Sequence, residues 1–360
     1  MRGRPEHMSE YAGGAVGVES HGPRPAAASA RQGQRGRGAW VAAAPGAGPV
    51  RTATRTPAGR ALLAVAGLFL CASAVAGSHV GERPPARPIR SVLPPAGAPL
   101  EAEARRTLLE TYAPTVLLAP GERALPASVE WYLARSRLVA ADGGTIVTAA
   151  FRSGGAAAEP ARLRPTLAAR AGSRSRGDWT AYGHVYRAAD GGILLQYWFF
   201  YAFNDFHGFG DHDADWEHVT VRLSAAGRPL GAWYARHDEN APGAWFEWDA
   251  LAREDAHPVV LSARGSHASY ARPGDVAWFD DACPTFRTDR AAARGCQVWR
   301  TWDGSAAGVR DLGSRAAPAA HFVLWGGLWG AEGGLGDEEG GPPGPAFQPG
   351  WCSGGAADCT

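Results

Sequence analysis

Short apolar runs, many with alternating polar positions, occur along most of the chain after residue 100. Side chains of a strand alternate between two faces, so such runs, bounded by Gly and Pro, predict β-strands. One helix is predicted over residues 101–112, because acidic side chains occupy its first turn. The runs predict strands at 115–118, 145–150, 183–187, 193–201, 216–223, 231–236, 258–263 and 321–324.

Regular short strands separated by turn residues predict an all-β fold, a β-sandwich with long loops and one or two short helices. The composition agrees, because 48 Gly, 27 Pro and 14 Trp favour a loop-rich β protein. We predict one domain over 101–351 and a tail at 352–360. The Arg-, Ala- and Ser-rich segment 152–178 is predicted to be a mobile surface insertion.

The first hundred residues differ in composition from the rest. Residues 1–60, rich in Arg, Gly, Ala and Pro, are expected to be disordered or to follow a wrongly chosen start site. Residues 61–76 combine a basic flank, an apolar core and a small-residue end, which predicts a signal peptide cleaved after Ala76 and a secreted protein. A membrane anchor formed by 61–76 is the alternative. Residues 77–100 form a Pro-rich lead-in.

Four cysteines remain after removal of the signal peptide: Cys283, Cys296, Cys352 and Cys359. An even number in an exported chain predicts two disulfides, and the close spacings favour Cys283 with Cys296 and Cys352 with Cys359. A structural zinc site is the alternative, although no C-x-x-C pair is present. The formal net charge of +1 excludes a nucleic-acid partner that binds by bulk charge.

The segment from Asp205 to His218 is the richest in candidate chemistry, since eight of its fourteen residues are acidic or histidine. If 213–223 is one strand, Asp213, Asp215 and Glu217 share a face with the apolar positions 219, 221 and 223. Buried carboxylates require a cation, either a metal ion or an arginine such as Arg222 or Arg264. Oxygen ligands with one or two imidazoles suit Mg, Ca or Mn.

Several phrases occur in an order that resembles the vacuolar protein sorting-associated protein 62 family. They are YAPTVLL at 112–118, PASVEWYL at 126–133, QYWFFY at 196–201, DWEHVTV at 215–221, ARGSHASY at 263–270, GLWG at 327–330 and GPAF at 344–347. The resemblance extends from about residue 112 to 351. It implies little about activity, because the biochemical role of that family is largely undefined.

A more distant resemblance is to the necrosis- and ethylene-inducing-like secreted toxins, which carry a Gly-His-Arg-His-Asp-Trp-Glu heptad. It implies a lectin-like β-sandwich that recognises sphingolipid head groups through a divalent metal. Alignment of the heptad with residues 211–217 implies His212, Asp215 and Glu217 as metal ligands, with Asp205 as the further aspartate and Asn204 as its alternative. The second His of the heptad is replaced here by Ala214.

Other residues are expected near this site. Asp211 and Asp213 are candidate ligands or turn formers. His237 and His267 follow strand-like runs and could orient a ligand or bond to metal-binding carboxylates, as could Arg264. His218 falls on the opposite strand face and is predicted to be structural.

The leading hypothesis is a secreted β-sandwich whose metal site binds a lipid or glycan head group, at a membrane surface in the toxin-like case. A secreted metal-dependent hydrolase is the second, with His237 or His267 as general base. The third is an ion with a purely structural role. The aromatic runs at 198–201 and 245–248 are expected to form core and rim.

Overall fold

The computed structural model describes residues 93, 99–140, 144–146, 161–206, 208, 210–236, 243–330 and 341–352. The predicted signal peptide, its cleavage site, His237, Cys359 and residues 353–360 lie outside the described residues. Three short helices are described, namely α1 (Ala102–Tyr112), α2 (Val129–Leu133) and α3 (Thr288–Ala291). None of the helices in these ranges has the length and apolar character that crossing a bilayer requires.

The strands account for most of the regular structure. They are β1 (Thr115–Leu118), β2 (Ser136–Ala140), β3 (Thr145–Ile146), β4 (Ala161–Pro165), β5 (Thr180–Arg187), β6 (Ile193–Asn204), β7 (His212–Leu223), β8 (Pro229–Tyr234), β9 (Ala244–Glu247), β10 (Arg253–Glu254), β11 (His257–Ser262), β12 (Ser269–Tyr270), β13 (Gln297–Arg300) and β14 (Gly308–Asp311).

Two of the three sheets face each other across the main core. The larger sheet has the order β14-β5-β6-β7-β8-β9, and the smaller has the order β10-β11-β1-β13 with β12 paired to β11. Alternate residues of β6 and β7, from Tyr197 to Tyr201 and from Val219 to Leu223, point into this core. They meet Val116, Val260 and Trp299 of the smaller sheet, which forms the sandwich.

The other face of the larger sheet is also buried. Trp198, Phe200 and Trp216 pack there against the third sheet, β3-β2-β4, and against segments near Trp325 and Trp329. Because both faces of β6 are covered, this strand is apolar at nearly every position and cannot be recognised by alternation alone.

The all-β class and the sandwich predicted from the sequence are confirmed, and so is the first helix. Residues 321–324 are turns and not a strand, because the buried side chains of Phe322 and Val323 pack without joining a ladder. The prediction of a mobile surface insertion at 152–178 is wrong for residues 161–178. Strand β4 lies there, and it alternates buried Ala161 and Leu163 with arginines that face outward.

A disulfide joins Cys283 to Cys296, as predicted, with Cα atoms 5.8 Å apart. Both cysteines are buried in a cluster on the outer face of the smaller sheet, beside Leu261 and Tyr270. Cys352 is also disulfide-bonded, to a partner outside the described residues. The predicted pairing of Cys352 with Cys359 therefore stays a prediction.

The segment near Trp351 covers a row of polar side chains on the outer face of the larger sheet. His184 is fully buried between Trp351, at 3.6 Å between ring centroids, and Tyr186, at 4.7 Å. Its Nδ1 bonds to Gln196 Oε1 at 3.3 Å, while Nε2 has no partner. Burial disfavours the charged imidazolium and lowers the pKa of His184 from 6.5 to about 3.

This burial predicts a loss of stability in acid. Between about pH 6.5 and about pH 3 the unfolded chain binds a proton at His184 and the folded chain does not, so stability falls as the pH falls. The contribution is up to about 1.4 kcal/mol per pH unit. Urea unfolding of the wild type and of His184→Gln, from about pH 7 to about pH 4, should show a shallower acid loss in the variant. Equal slopes would contradict the assignment.

Candidate functional site

The acidic row lies in the first half of β7, on the face that looks into the main core. Asp213, Asp215 and Glu217 are 3%, 7% and 8% exposed and lie opposite Phe203, Tyr201 and Phe199 of β6. Val219, Val221 and Leu223 continue the same face into the apolar core. The predicted alternation is therefore confirmed, and three carboxylates occupy one end of the sandwich interior.

Asp213 is neutralised by an arginine that sequence reasoning did not name. Arg170 Nε donates to Asp213 Oδ1 at 2.7 Å, and the guanidinium lies 4.4 Å from the ring centroid of Phe203. Arg170 reaches this position from the short 3-10 helix Leu167–Ala171. The arginines that were predicted as partners pair elsewhere, Arg222 with Asp190 and Arg264 with Asp281.

Asp215 is paired with His267, a fully buried histidine. His267 Nδ1 lies 2.7 Å from Asp215 Oδ2, and Nε2 lies 3.2 Å from the carbonyl oxygen of Ala124 and 3.7 Å from Glu122 Oε2. The imidazole stacks on Tyr201, with ring centroids 3.7 Å apart and planes 6° apart. Since both ring nitrogens face acceptors, the geometry favours the doubly protonated imidazolium.

The turn at 263–268 determines the position of His267. Backbone bonds from the Ala263 N–H to the Ala268 carbonyl and from the His267 N–H to the Ala263 carbonyl close the turn. Gly265 and His267 have φ values of +79° and +54°. A Cβ on Gly265 would lie 2.1 Å from the carbonyl oxygen of Asp205, so only glycine fits.

Glu122 is the second carboxylate that faces His267, and it was not among the residues predicted from the sequence. It accepts backbone hydrogen bonds from Arg123, Ala124 and Gly265 at 2.7–2.8 Å. Burial opposes ionisation of Glu122, but His267 and these N–H groups outweigh it and lower the Glu122 pKa from 4.5 to about 2. Burial also disfavours the protonated form of His267. The charges and hydrogen bonds of Glu122 and Asp215 outweigh this effect and raise the His267 pKa to about 9.

Glu217 differs from the other carboxylates of the row because it has no partner. It is 8% exposed, and its carboxyl group forms no hydrogen bond or ion pair with any residue that the structure describes. Burial, followed by the charges of Asp215 and Asp280, raises its pKa well above 4.5. Asp280 accepts hydrogen bonds from the Ser266 hydroxyl at 2.7 Å and the Tyr270 hydroxyl at 2.5 Å.

Two further polar groups near this position lack partners. Ser269 is 1% exposed and its Oγ has no hydrogen-bond partner. Ser269 pairs directly with Ser262, whose Oγ reaches Tyr201 at 3.1 Å, so both hydroxyls project toward the larger sheet. Arg236 lies over the ring of Tyr270 at 4.5 Å, and its Nε and Nη2 have no partner. We call Asp215, Glu217 and Asp280 the acidic recess.

The remaining predicted ligands do not join the acidic recess through their side chains. His212 Nδ1 donates to the Ala214 carbonyl at 2.7 Å, and Nε2 lies 3.2 Å from Asn204 Nδ2, so both nitrogens are engaged. Asp211 Oδ1 accepts from the Gly208 N–H, and Asp205 is exposed and contacts Gly265 through its backbone N–H. His218 is buried against Trp198, as predicted for a structural histidine.

The fit of this site to a divalent metal is poor. Within the described ranges, no group of three or more His, Cys, Asp or Glu side chains has a spacing that could hold a metal ion. Asp215 and Asp280 already accept hydrogen bonds from protein donors, and only Glu217 is uncommitted. A hard cation such as Ca or Mg requires about six oxygen ligands. Of the three carboxylates, Glu217 alone is without a hydrogen bond or ion pair among the described residues.

Two exposed aromatic side chains immediately precede Asp280 in the chain. Trp278 is 92% exposed and Phe279 is 38% exposed, and both immediately precede Asp280. Phe279 contacts Phe206 edge to face at 5.8 Å. Large exposed aromatic groups are costly in water and are common where a protein binds sugars or membranes. The aromatic rim predicted from the sequence at 198–201 and 245–248 does not include these two residues.

Comparison with known proteins gives one family match. Residues 197–291 match the family described as Vacuolar protein sorting-associated protein 62, which confirms the resemblance seen in the sequence motifs. The matched stretch, roughly a quarter of the 360-residue chain, contains Asp215, Glu217, His267, Ser269 and Asp280. The chain is also 30% identical over 114 residues to a Saccharomyces cerevisiae protein described as a putative vacuolar protein sorting-associated protein, TDA6. That alignment covers 24% of this chain and 23% of the yeast protein.

Solved structures of necrosis- and ethylene-inducing proteins are similar at low identity. NLPPya in complex with glucosamine is 14% identical with a TM-score of 0.33, covering 65% of this chain and 84% of that one. The Necrosis and Ethylene inducing Protein 2 from the causal agent of cocoa's Witches Broom disease is 16% identical with a TM-score of 0.27, covering 61% and 76%. TM-scores this low support no argument about function.

The His267 pairing predicts strong energetic coupling with Glu122. Removing either partner leaves an uncompensated buried charge, so His267→Gln and Glu122→Gln should each lower the free energy of unfolding by about 3–5 kcal/mol near neutral pH. The double variant should lose less than the sum, by more than about 1 kcal/mol. Chemical denaturation of the four proteins measures this coupling.

The exposed pair Arg287 and Asp289 provides a matched control, since its N···O distance is 3.0 Å but both side chains are more than half exposed. Removing it should leave the unfolding midpoint nearly unchanged. Additive effects of the His267 and Glu122 substitutions would contradict the assigned ion pair.

Proposed function

We propose that this protein is exported and binds the polar head group of a glycan or lipid at the acidic recess. The observation that carries the proposal is Glu217, a carboxylate that is more than nine-tenths buried, unpaired and close to Asp215 and Asp280. A buried carboxyl group without a partner is costly, and its raised pKa means that the empty site favours the protonated form, which a bound cation would reverse. The recess therefore supports binding of a cation or of a positively charged ligand.

The adjacent aromatic residues support a head group as the ligand class. Trp278 extends from the loop that carries Asp280 and is almost fully exposed. An indole in this position can stack on a sugar ring or enter the interface of a bilayer while polar groups of the ligand reach the carboxylates. A toxin-like action at a membrane surface is the form of this function that the heptad resemblance implies.

Export is supported by two independent features. The sequence of residues 61–76 is typical of a signal peptide. The disulfide between Cys283 and Cys296, and the one that includes Cys352, are typical of proteins that fold in an oxidising compartment. The cleavage after Ala76 stays a prediction, as does the alternative that 61–76 anchors the chain in a membrane.

The hydrolase hypothesis gains no support from the described residues. It required His237 or His267 as a general base, and a base needs a free nitrogen that can accept a proton. His267 is fully buried and both its nitrogens face acceptors. His237 lies outside the described residues. We therefore propose binding without bond cleavage.

The divalent ion, Mg, Ca or Mn, stays a prediction, as does the alternative of an ion with a structural role. If an ion binds, Asp215 and Glu217 would hold it, and it would supply a positive charge for the oxygen atoms of a head group. Elemental analysis of the purified, dialysed protein tests this directly. About one ion per chain in the wild type and in Glu247→Gln, and none in Glu217→Gln, would support the metal.

Equal metal content in Glu217→Gln and the wild type would remove Glu217 from any metal site. No ion in either protein, after supply of Ca, Mg and Mn at millimolar concentration, would remove the metal from the proposal. Head-group binding by the recess would still stand, because that proposal rests on Glu217 and not on the ion.

Head-group binding predicts a specific effect of Trp278→Ala. Because the side chain is 92% exposed, its removal should leave the melting temperature unchanged. Binding to glycan arrays or to phospholipid vesicles should weaken by about threefold to tenfold. Trp245→Ala, on the edge strand β9, is the control and should bind like the wild type. If Trp278→Ala binds as well as the wild type, the aromatic rim takes no part.

A further inference from the structure

We propose that the outer face of the third sheet, β3-β2-β4, attaches the protein to the surface of an anionic bilayer. This surface contains none of the residues of the acidic recess and is independent of the head-group site. It consists of Arg137, Arg162, Arg164 and the adjoining Leu167. We call it the arginine face.

The alternation of β2 and β4 places arginines on one side of the sheet and apolar side chains on the other. Leu138 and Leu163 pair directly across the two strands and are buried in the cluster that covers the larger sheet. Arg137 and Arg164, which flank them, are also directly paired, and both are exposed. Successive residues of a strand point to opposite faces, so these arginines share the outer face, which also carries Arg162.

The register of Arg137 and Arg164 brings two like charges together. Directly opposed residues of an antiparallel pair have Cβ atoms about 4.5–5.5 Å apart, and like charges in such a pair are destabilising. Neither guanidinium forms an ion pair or a hydrogen bond with a residue that the structure describes. The segments 131–140 and 161–170 contain no Asp or Glu. An anion that binds both guanidinium groups would relieve the repulsion, and phosphate suits this geometry.

Leu167 adds an apolar side chain next to these charges. It is 79% exposed and begins the short 3-10 helix Leu167–Ala171, three residues after Arg164. Its neighbour Thr166 donates its N–H to the carbonyl oxygen of Arg135 at 3.0 Å, so Leu167 lies where the ladder between β2 and β4 ends.

The combination of arginines and an exposed leucine favours a bilayer as the partner. Arginines gain energy from the negative surface potential of anionic lipids, and a leucine gains energy when it enters the boundary between head groups and acyl chains. A soluble polyanion, such as a sulfated glycan, offers no apolar phase that would receive the leucine. The arginine face therefore fits an anionic lipid surface better than a soluble glycan.

Vesicle flotation of the full chain tests this attachment. Phosphatidylcholine vesicles are compared with vesicles that also contain about 30% phosphatidylserine. The protein should bind at least about tenfold more tightly to the anionic vesicles. Added salt should reduce this difference, because salt screens exposed charges.

A charge-matched pair of variants assigns the binding to the arginine face. Arg137→Gln combined with Arg164→Gln should weaken binding to anionic vesicles by about tenfold or more, since each arginine near such a surface contributes about fivefold. Its unfolding midpoint should not fall, because the change removes a repulsion. The control, Arg228→Gln combined with Arg290→Gln, removes the same charge at exposed positions in the turn before β8 and in α3, and should retain the binding. All variants share residues 1–100, so that segment causes no difference between them.

Leu167→Gln distinguishes a bilayer from a soluble polyanion. It should weaken vesicle binding by about threefold to tenfold and leave the affinity for dextran sulfate, measured by calorimetry, unchanged. If Leu167→Gln binds vesicles like the wild type while the double arginine variant loses dextran sulfate binding, the partner is an anionic glycan and the bilayer assignment is overturned.

Two other results would overturn the proposal without rejecting the head-group site. Equal vesicle binding by the double arginine variant and its control would exclude the arginine face. Loss of anionic-vesicle binding in Glu217→Gln, with full binding by the double arginine variant, would assign the interaction to the acidic recess. Retained vesicle binding in Glu217→Gln, together with loss in the double arginine variant, is the expected outcome.

Discussion

The architecture of the site depends on one buried cation, the imidazolium of His267. It is enclosed by the stacked ring of Tyr201 and bridges Asp215 on the larger sheet and Glu122 on the loop after β1. This contact joins the two sheets at the end of the sandwich where apolar packing stops. Without a positive charge in this position, two buried carboxylates would repel each other in a medium that screens charge poorly.

The three acidic residues of β7 have three different environments. Asp213 pairs with an arginine and Asp215 with a histidine, while Glu217 is left uncompensated. The first two pairs explain how a row of carboxylates can continue the face of an apolar strand. The third is the exception that points to function, because structural ion pairs would have been sufficient to fold the chain. Trp278, which lies two residues before Asp280, is 92% exposed.

The outcomes for individual residues show what sequence patterns can predict. Alternation along β7 placed Asp215 and Glu217 correctly, since strand periodicity is local. The expected ligand role of His212 came from its spacing in the heptad, yet its two nitrogens bond to Ala214 and Asn204 within the same hairpin. Glu122 and Asp280 could not be predicted, because they lie 93 residues before and 65 residues after Asp215 and meet it only through long-range packing.

The sequence by itself determined the all-β class, the first helix, the disulfide between Cys283 and Cys296 and the face on which the acidic row lies. These follow from periodicity, turn residues and close spacing, which act over a few positions along the chain. Only the tertiary structure decided which carboxylates are neutralised and which is left free. That outcome depends on the positive-φ turn around Gly265 and His267 and on the position of Arg170, because the energy of a buried charge depends on the neighbours that the completed fold places around it.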